Sequence, residues 1–178
     1  MELEIIKVGN GTKEYFGNFT KKEIKIIKEN CIGKILHLFS GNSDIGNMKV
    51  DYSNKKADWN CDVFGFLDTF RLDNYNTVII DAPYNKKFAD KYQKLDGLNR
   101  KQFIIFANTR DTTKLFNLIK ENINPDIIII KSWNYYIPKG YKLKKGYLCY
   151  AGGYRKSTIL LILEKIPMND YSQVKLEF

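Results

Sequence analysis

Cysteine and histidine are scarce and scattered. Cys31, Cys61 and Cys149 stand far apart, no CxxC spacing occurs, and His37 is the only histidine. A zinc site needs four grouped ligands, so no metal is expected. The N-terminus, Met1-Glu2-Leu3-Glu4-Ile5-Ile6-Lys7, begins with acidic residues and a brief apolar stretch, which is not the pattern of a secretory signal. An odd cysteine count without such a signal points to reduced thiols and a cytoplasmic location. No apolar run approaches the roughly 20 residues that a membrane-spanning helix requires. Repeats, low-complexity tracts and Pro/Gly/Ser linkers are also missing. The 178 residues are therefore expected to form a single domain, 1–178. Within it, 1–33 would be an N-terminal arm and helix, 34–165 the sheet core and 166–178 a tail.

Acidic residues are the minority charge. Twenty-nine Lys and Arg face 20 Asp and Glu, a formal +9, which favours a polyanionic partner such as nucleic acid. A chain rich in Lys, Asn, Ile and Tyr can reach that total by composition alone, so the distribution matters more. Residues 131–156 hold no Asp or Glu. They hold seven basic residues, Lys131, Lys139, Lys142, Lys144, Lys145, Arg155 and Lys156. Seven aromatics interleave with them: Trp133, Tyr135, Tyr136, Tyr141, Tyr147, Tyr150 and Tyr154. Cations that track phosphates and rings that stack on bases make this stretch a candidate nucleic-acid surface. The bland alternative is a β-rich segment with core tyrosines and a solvated lysine edge. Lys86, Lys87, Lys91 and Lys94 would extend the surface.

Apolar patterning supplies the elements. Thr20 with Glu23 fits a capping box, with Ile24, Ile27 and Cys31 on one helix face and Gly33 ending the helix. Short strands are expected at Lys34–Phe39, Met48–Asp51, 58–62, Thr77–Ile80, Gln102–Ala107 and Asp126–Ile130. Helices are expected at Lys86–Leu95 and Thr112–Glu121. Tyr141–Tyr150 and Lys156–Glu164, flanking Gly152-Gly153, read as an antiparallel hairpin. The whole predicts an α/β fold: a Rossmann-like, open twisted sheet, mostly parallel, closed by a C-terminal antiparallel hairpin.

Three carboxylates close successive strands: Asp51, Asp62 and Asp81. A glycine-bearing loop, Ser40–Gly46, follows the first strand. In an open sheet such groups converge on one crevice at the carboxyl edge. The run Thr77-Val78-Ile79-Ile80 enters Asp81-Ala82-Pro83-Tyr84, a stiff turn with a carboxylate beside an aromatic ring.

These residues resemble the class I S-adenosylmethionine-dependent methyltransferases, in particular the N6-adenine and N4-cytosine enzymes. Leu36-His37-Leu38-Phe39-Ser40-Gly41 looks like their first motif, and Asp81-Ala82-Pro83-Tyr84 like their catalytic Asp-Pro-Pro-Tyr. The hairpin matches their final strand pair, and the likeness covers roughly residues 13–165. The resemblance implies S-adenosylmethionine as cofactor, held by Phe39, Ser40, Gly41, Asp51 (ribose) and Asp62 (adenine). It implies Asp81, Ala82, Pro83 and Tyr84 as catalytic residues. Asp81 and the Ala82 carbonyl would accept hydrogen bonds from the target amine, and Tyr84 would stack on the base. Nucleic acid would be met by Lys86, Lys87, Trp133, Tyr135, Tyr136, Lys139, Lys142, Lys144, Lys145 and Arg155. Adenine N6 in DNA ranks ahead of RNA, with recognition supplied by a partner subunit if it is specific.

The chain departs from the family's pattern at four points. His37 stands where an acidic residue is usual, and is read as a buried strand histidine. Ser43 replaces a second loop glycine, and Ala82 the first proline. Only ten positions separate Gly41 from Asp51, too few for a helical crossover of roughly a dozen residues. The helix between the first two strands is therefore expected to be missing. The alternatives are a non-catalytic nucleic-acid module on a degenerate methyltransferase fold, an RNA methyltransferase, and a small-molecule or protein methyltransferase.

Overall fold

The computed structural model describes residues 3–8, 19–52, 54–82, 109–150 and 157–167. Among them eight strands form one sheet: β1 (Leu3–Lys7), β2 (Ile35–Leu38), β3 (Met48–Asp51), β4 (Trp59–Asn60), β5 (Thr77–Ile80), β6 (Ile127–Ser132), β7 (Tyr141–Tyr150) and β8 (Thr158–Lys165). Three helices accompany it: α1 (Lys21–Asn30), α2 (Val63–Thr69) and α3 (Thr109–Asn122). The strand order is β1-β7-β8-β6-β5-β2-β3-β4, and every pairing is parallel except those of β8 with β6 and β7. This is a mostly parallel α/β sheet with an antiparallel strand pair, as the sequence predicts.

Val78–Ile80 of β5 and Ile127–Ile130 of β6 are unbroken apolar runs because both faces are covered. Val78 and Ile80 of β5, with Ile128 and Ile130 of β6, pack under α2 and α3 against Phe66, Leu67, Leu115 and Ile119. Their alternates, Ile79, Ile127 and Ile129, pack under α1 against Ile26 and Ile27. The capping box of α1 is present: the Glu23 amide donates to Thr20 Oγ1 at 3.3 Å, and the Thr20 amide to Glu23 Oε2 at 2.6 Å.

Three expectations need correction. The buried side of α1 is Glu23, Ile26, Ile27 and Asn30, while Ile24 and Cys31 are half-buried at its margin. The helix stops at Asn30 because Cys31 turns extended. Gly33 serves the following turn, at φ +54, where a Cβ would lie 2.0 Å from Asn76 Oδ1. Finally, β4 is only two residues long, and Asp62 begins α2 instead of closing the strand. The expected helix at Lys86–Leu95 and strand at Gln102–Ala107 lie outside the described residues.

No helix forms between β2 and β3. Residues 39–47 run as a loop, and His37 fastens it: the buried ring's Nδ1–H donates to the Ile45 carbonyl at 2.9 Å, beside the ring of Phe19. Burial pushes this histidine down to about 4, so it is neutral at pH 7. Its reading as a buried strand residue holds.

Candidate active site at the carboxyl edge of the sheet

From β2 the chain steps outward through β3 and β4, then returns to lay β5 on the other side of β2. The loops after β2 and β5 thus diverge, opening a crevice above their carboxyl ends, where open α/β sheets bind ligands. The register brings Leu38 alongside Ile80, so Phe39-Ser40-Gly41 and Asp81-Ala82 face each other there.

The loop after β2 is tightly wound. Phe39 (φ +58) and Gly41 (φ +49) both take the left-handed conformation. For a phenylalanine this costs about 1–3 kcal/mol, a strain found mostly at functional sites. Ser40 between them is buried, and among the described residues its hydroxyl has no hydrogen-bond partner. A buried, unsatisfied hydroxyl at the mouth of a crevice is suited to a ligand's polar group.

Asp51 closes β3, and each of its oxygens accepts a backbone amide. Gly41 N–H reaches Oδ2 at 2.9 Å and Asn54 N–H reaches Oδ1 at 3.0 Å. Asn54 also donates from Nδ2 to Asn42 Oδ1 at 2.7 Å and accepts Asn60 Nδ2 on its carbonyl at 2.7 Å. This Asp51–Asn54–Asn60–Asn42 network was not anticipated, because single asparagines in loops carry no spacing signal. Asp62 caps α2, accepting from Gly65 N–H at 3.0 Å.

Asp81 lies at the end of β5. Although it retains some exposed surface, loss of water around its carboxyl dominates and pushes it up to about 7 from an ordinary 3.8. Lys131 opposes the rise, while Glu23 and Asp51 add to it. Ala82 beside it is fully buried. Pro83, Tyr84, Lys86, Lys87 and Arg155 lie outside the described residues.

The basic aromatic stretch is divided by the fold, which corrects its reading as one surface. Trp133, Tyr135 and Tyr136 follow β6 at the carboxyl edge, with Trp133 half-buried and Tyr135 exposed. Tyr136 stacks on Phe116 of α3, centroids 5.0 Å apart, and so leans towards the core. Because β7 runs parallel to β6, it begins at the opposite edge. Lys139 and Lys142 therefore sit at the far edge, whereas Lys145, level with Ile129, lies one residue short of the carboxyl ends of β5 and β6. Through β8, Lys142 is level with Ile127, three residues or about 10 Å short of Ile130 at the crevice edge. Lys142 pairs there with Glu164 at 3.4 Å, and Tyr141 and Tyr147 are core residues.

The residue that sequence reasoning missed is the partner of Lys131. This lysine, counted there among the surface cations, is buried at the end of β6 with Nζ 3.4 Å from Glu23 Oε1. Its position directly after four isoleucines was the available signal.

No helix among the described residues is long and apolar enough to cross a membrane. No group of three or more His, Cys, Asp or Glu among them is placed to hold a metal ion.

No family model matches the sequence, and no curated protein matches it. Among solved structures, the fold is similar to that of a proposed methylase from Haemophilus influenzae, with a TM-score of 0.47, 10% identity, and coverage of 81% of this chain and 93% of that one. It is also similar to the tRNA (uracil-54, C5)-methyltransferase of Pyrococcus abyssi in complex with S-adenosyl-L-homocysteine, with a TM-score of 0.48 and 14% identity. That match covers 85% of this chain and 40% of the archaeal enzyme.

Proposed function

We propose that the chain is an S-adenosylmethionine-dependent methyltransferase acting on an exocyclic amino group of a nucleic-acid base, adenine N6 in DNA first. The observation that carries this reading is the placement of Asp81 and Ala82 at the switch point of the sheet, opposite the strained Phe39-Ser40-Gly41 turn. The residues fit such a cofactor: the buried Ser40 hydroxyl has a hydrogen bond to give, and Gly41 lets a ligand approach the backbone. Asp51, which holds the Gly41 amide at the end of β3, is the carboxylate that a ribose hydroxyl would meet. The bound cofactor supplies an electrophilic methyl on a sulfonium.

The chain's own residues then place and polarise the amine. Asp81, when ionised, accepts one amino hydrogen and the Ala82 carbonyl the other, which aims the nitrogen lone pair at the methyl position. With the methyl's C–S bond broken and the thioether as leaving group, the methylated nitrogen would give up a proton to Asp81 or to solvent. A base in a duplex must first leave the stack, and Tyr84 would receive it by stacking.

A second reading, a non-catalytic nucleic-acid module, draws on the tying up of both Asp51 oxygens by backbone amides. Transfer of labelled methyl from S-adenosylmethionine to DNA or RNA separates the two. Transfer that is lost in Asp81→Ala supports the enzyme. Salt-sensitive nucleic-acid binding without transfer or cofactor affinity supports the module.

A further inference from the structure

The parallel register of β5 and β6 pairs Ile79 with Ile129 and Ile80 with Ile130. The next residues, Asp81 just past β5 and Lys131 still within β6, are therefore abreast, on the face covered by α1. Lys131 is buried there. Its Nζ lies 3.4 Å from each carboxylate oxygen of Glu23 and 4.9 Å from the Phe19 ring centroid. A buried Lys–Glu pair seldom stabilises a fold more than well-packed apolar side chains would. Its position beside the strand-end carboxylate gives it a second use.

We propose that Lys131 is a positioning residue whose charge, divided between Glu23 and Asp81, sets how readily Asp81 presents an ionised carboxylate to the substrate amine. This rests on the reading of Asp81 as the amine acceptor. The charged groups facing Asp81 are Lys131 from β6, Glu23 from α1 and Asp51 from β3. Only Lys131 favours its ionised form. Glu23 draws on the same cation and adds repulsion, so α1 holds a brake on the carboxylate. Cys149, next to the same pair, carries no charge at neutral pH because burial pushes its thiol up to about 12.

The proposal separates two substitutions that a structural role would not. Glu23→Gln keeps the capping box, since glutamine also serves at that position, and removes the competing charge. Lys131→Met removes the supporting cation. Carbon-13 NMR titration of the Asp81 carboxyl, assigned with Asp81→Asn, reads the effect in the protein without cofactor. The midpoint should fall by on the order of one pH unit in Glu23→Gln and rise by a similar amount in Lys131→Met. The double variant Glu23→Gln/Lys131→Met, which leaves no unpaired charge, covers the case in which Lys131→Met does not fold. Its midpoint should lie above that of Glu23→Gln. The acidic limb of the methyl-transfer profile should move with these midpoints. Midpoints that stay together overturn the proposal, whatever the activity. Midpoints that move while no nucleic acid is methylated uphold the coupling and overturn the reading of Asp81 as amine acceptor.

Discussion

Gly41 and Asp51 are ten positions apart in sequence, and the amide of one lies 2.9 Å from the carboxylate of the other. That bond closes the loop which stands where a crossover helix would otherwise link two parallel strands. His37 holds the same loop from below through the Ile45 carbonyl. The first turn of the crevice is thus shaped by one carboxylate and one imidazole, with no helix N-terminus behind it.

Replacing Asp51 tests this clamp. Asp51→Ala leaves the Gly41 and Asn54 amides without their acceptor, and each lost charged hydrogen bond costs about 1.5–3 kcal/mol. Denaturant unfolding should show a loss of about 3–6 kcal/mol for the two bonds together, and S-adenosylhomocysteine affinity should fall at least about tenfold. Asp51→Asn, which keeps one acceptor oxygen, should fall between the wild type and Asp51→Ala in both measurements.

Two groups deprived of water give stability opposite dependences on pH. Asp81 titrates near 7 in the folded state against 3.8 ordinarily, so the folded state holds its proton longer. Its contribution is full below 3.8 and is lost as pH rises through 7. His37 is lowered to about 4 from 6.5, so its contribution is full above 6.5 and is lost as pH falls through 4. Between those limits the two oppose each other. Asp81→Asn should therefore be more stable than the wild type at pH 8, although inactive. It should also lose stability more steeply between pH 6.5 and 4, by up to about 3 kcal/mol. Urea midpoints at pH 8, 6.5 and 4.5 check both effects.

The divided basic stretch makes a spatial prediction. Trp133→Ala and Tyr135→Ala, at the crevice edge, should each weaken single-stranded nucleic-acid binding about tenfold, the lower range for one stacked base. Replacing Lys139 and Lys142 by Ala, at the far edge of the sheet, should leave affinity within about twofold at moderate salt. Fluorescence anisotropy with labelled oligonucleotides separates the two sets. Equal losses would mean that nucleic acid follows the length of β7.

The fold was legible wherever local pattern and burial agree. Thr77–Ile80 is the strand that its β-branched run indicates, and Thr20 and Glu23 form the capping box that their spacing indicates. The missing crossover helix was readable from chain length alone. What escaped depended on tertiary register. Lys131 counts as a cation in sequence, but parallel pairing with β5 and the approach of α1 bury it on Glu23. Lys139 and Lys142 look contiguous with Trp133 until strand direction sends them to the other edge. Asp51 was read for a ligand, and the structure uses its oxygens first to hold backbone.

The most direct test of the crevice is calorimetric titration of the whole chain with S-adenosylhomocysteine. Binding at one site with micromolar affinity, about −8 kcal/mol, is the expected result. Absence of heat and of competition by S-adenosylmethionine up to millimolar concentration would contradict a cofactor site between β2 and β5.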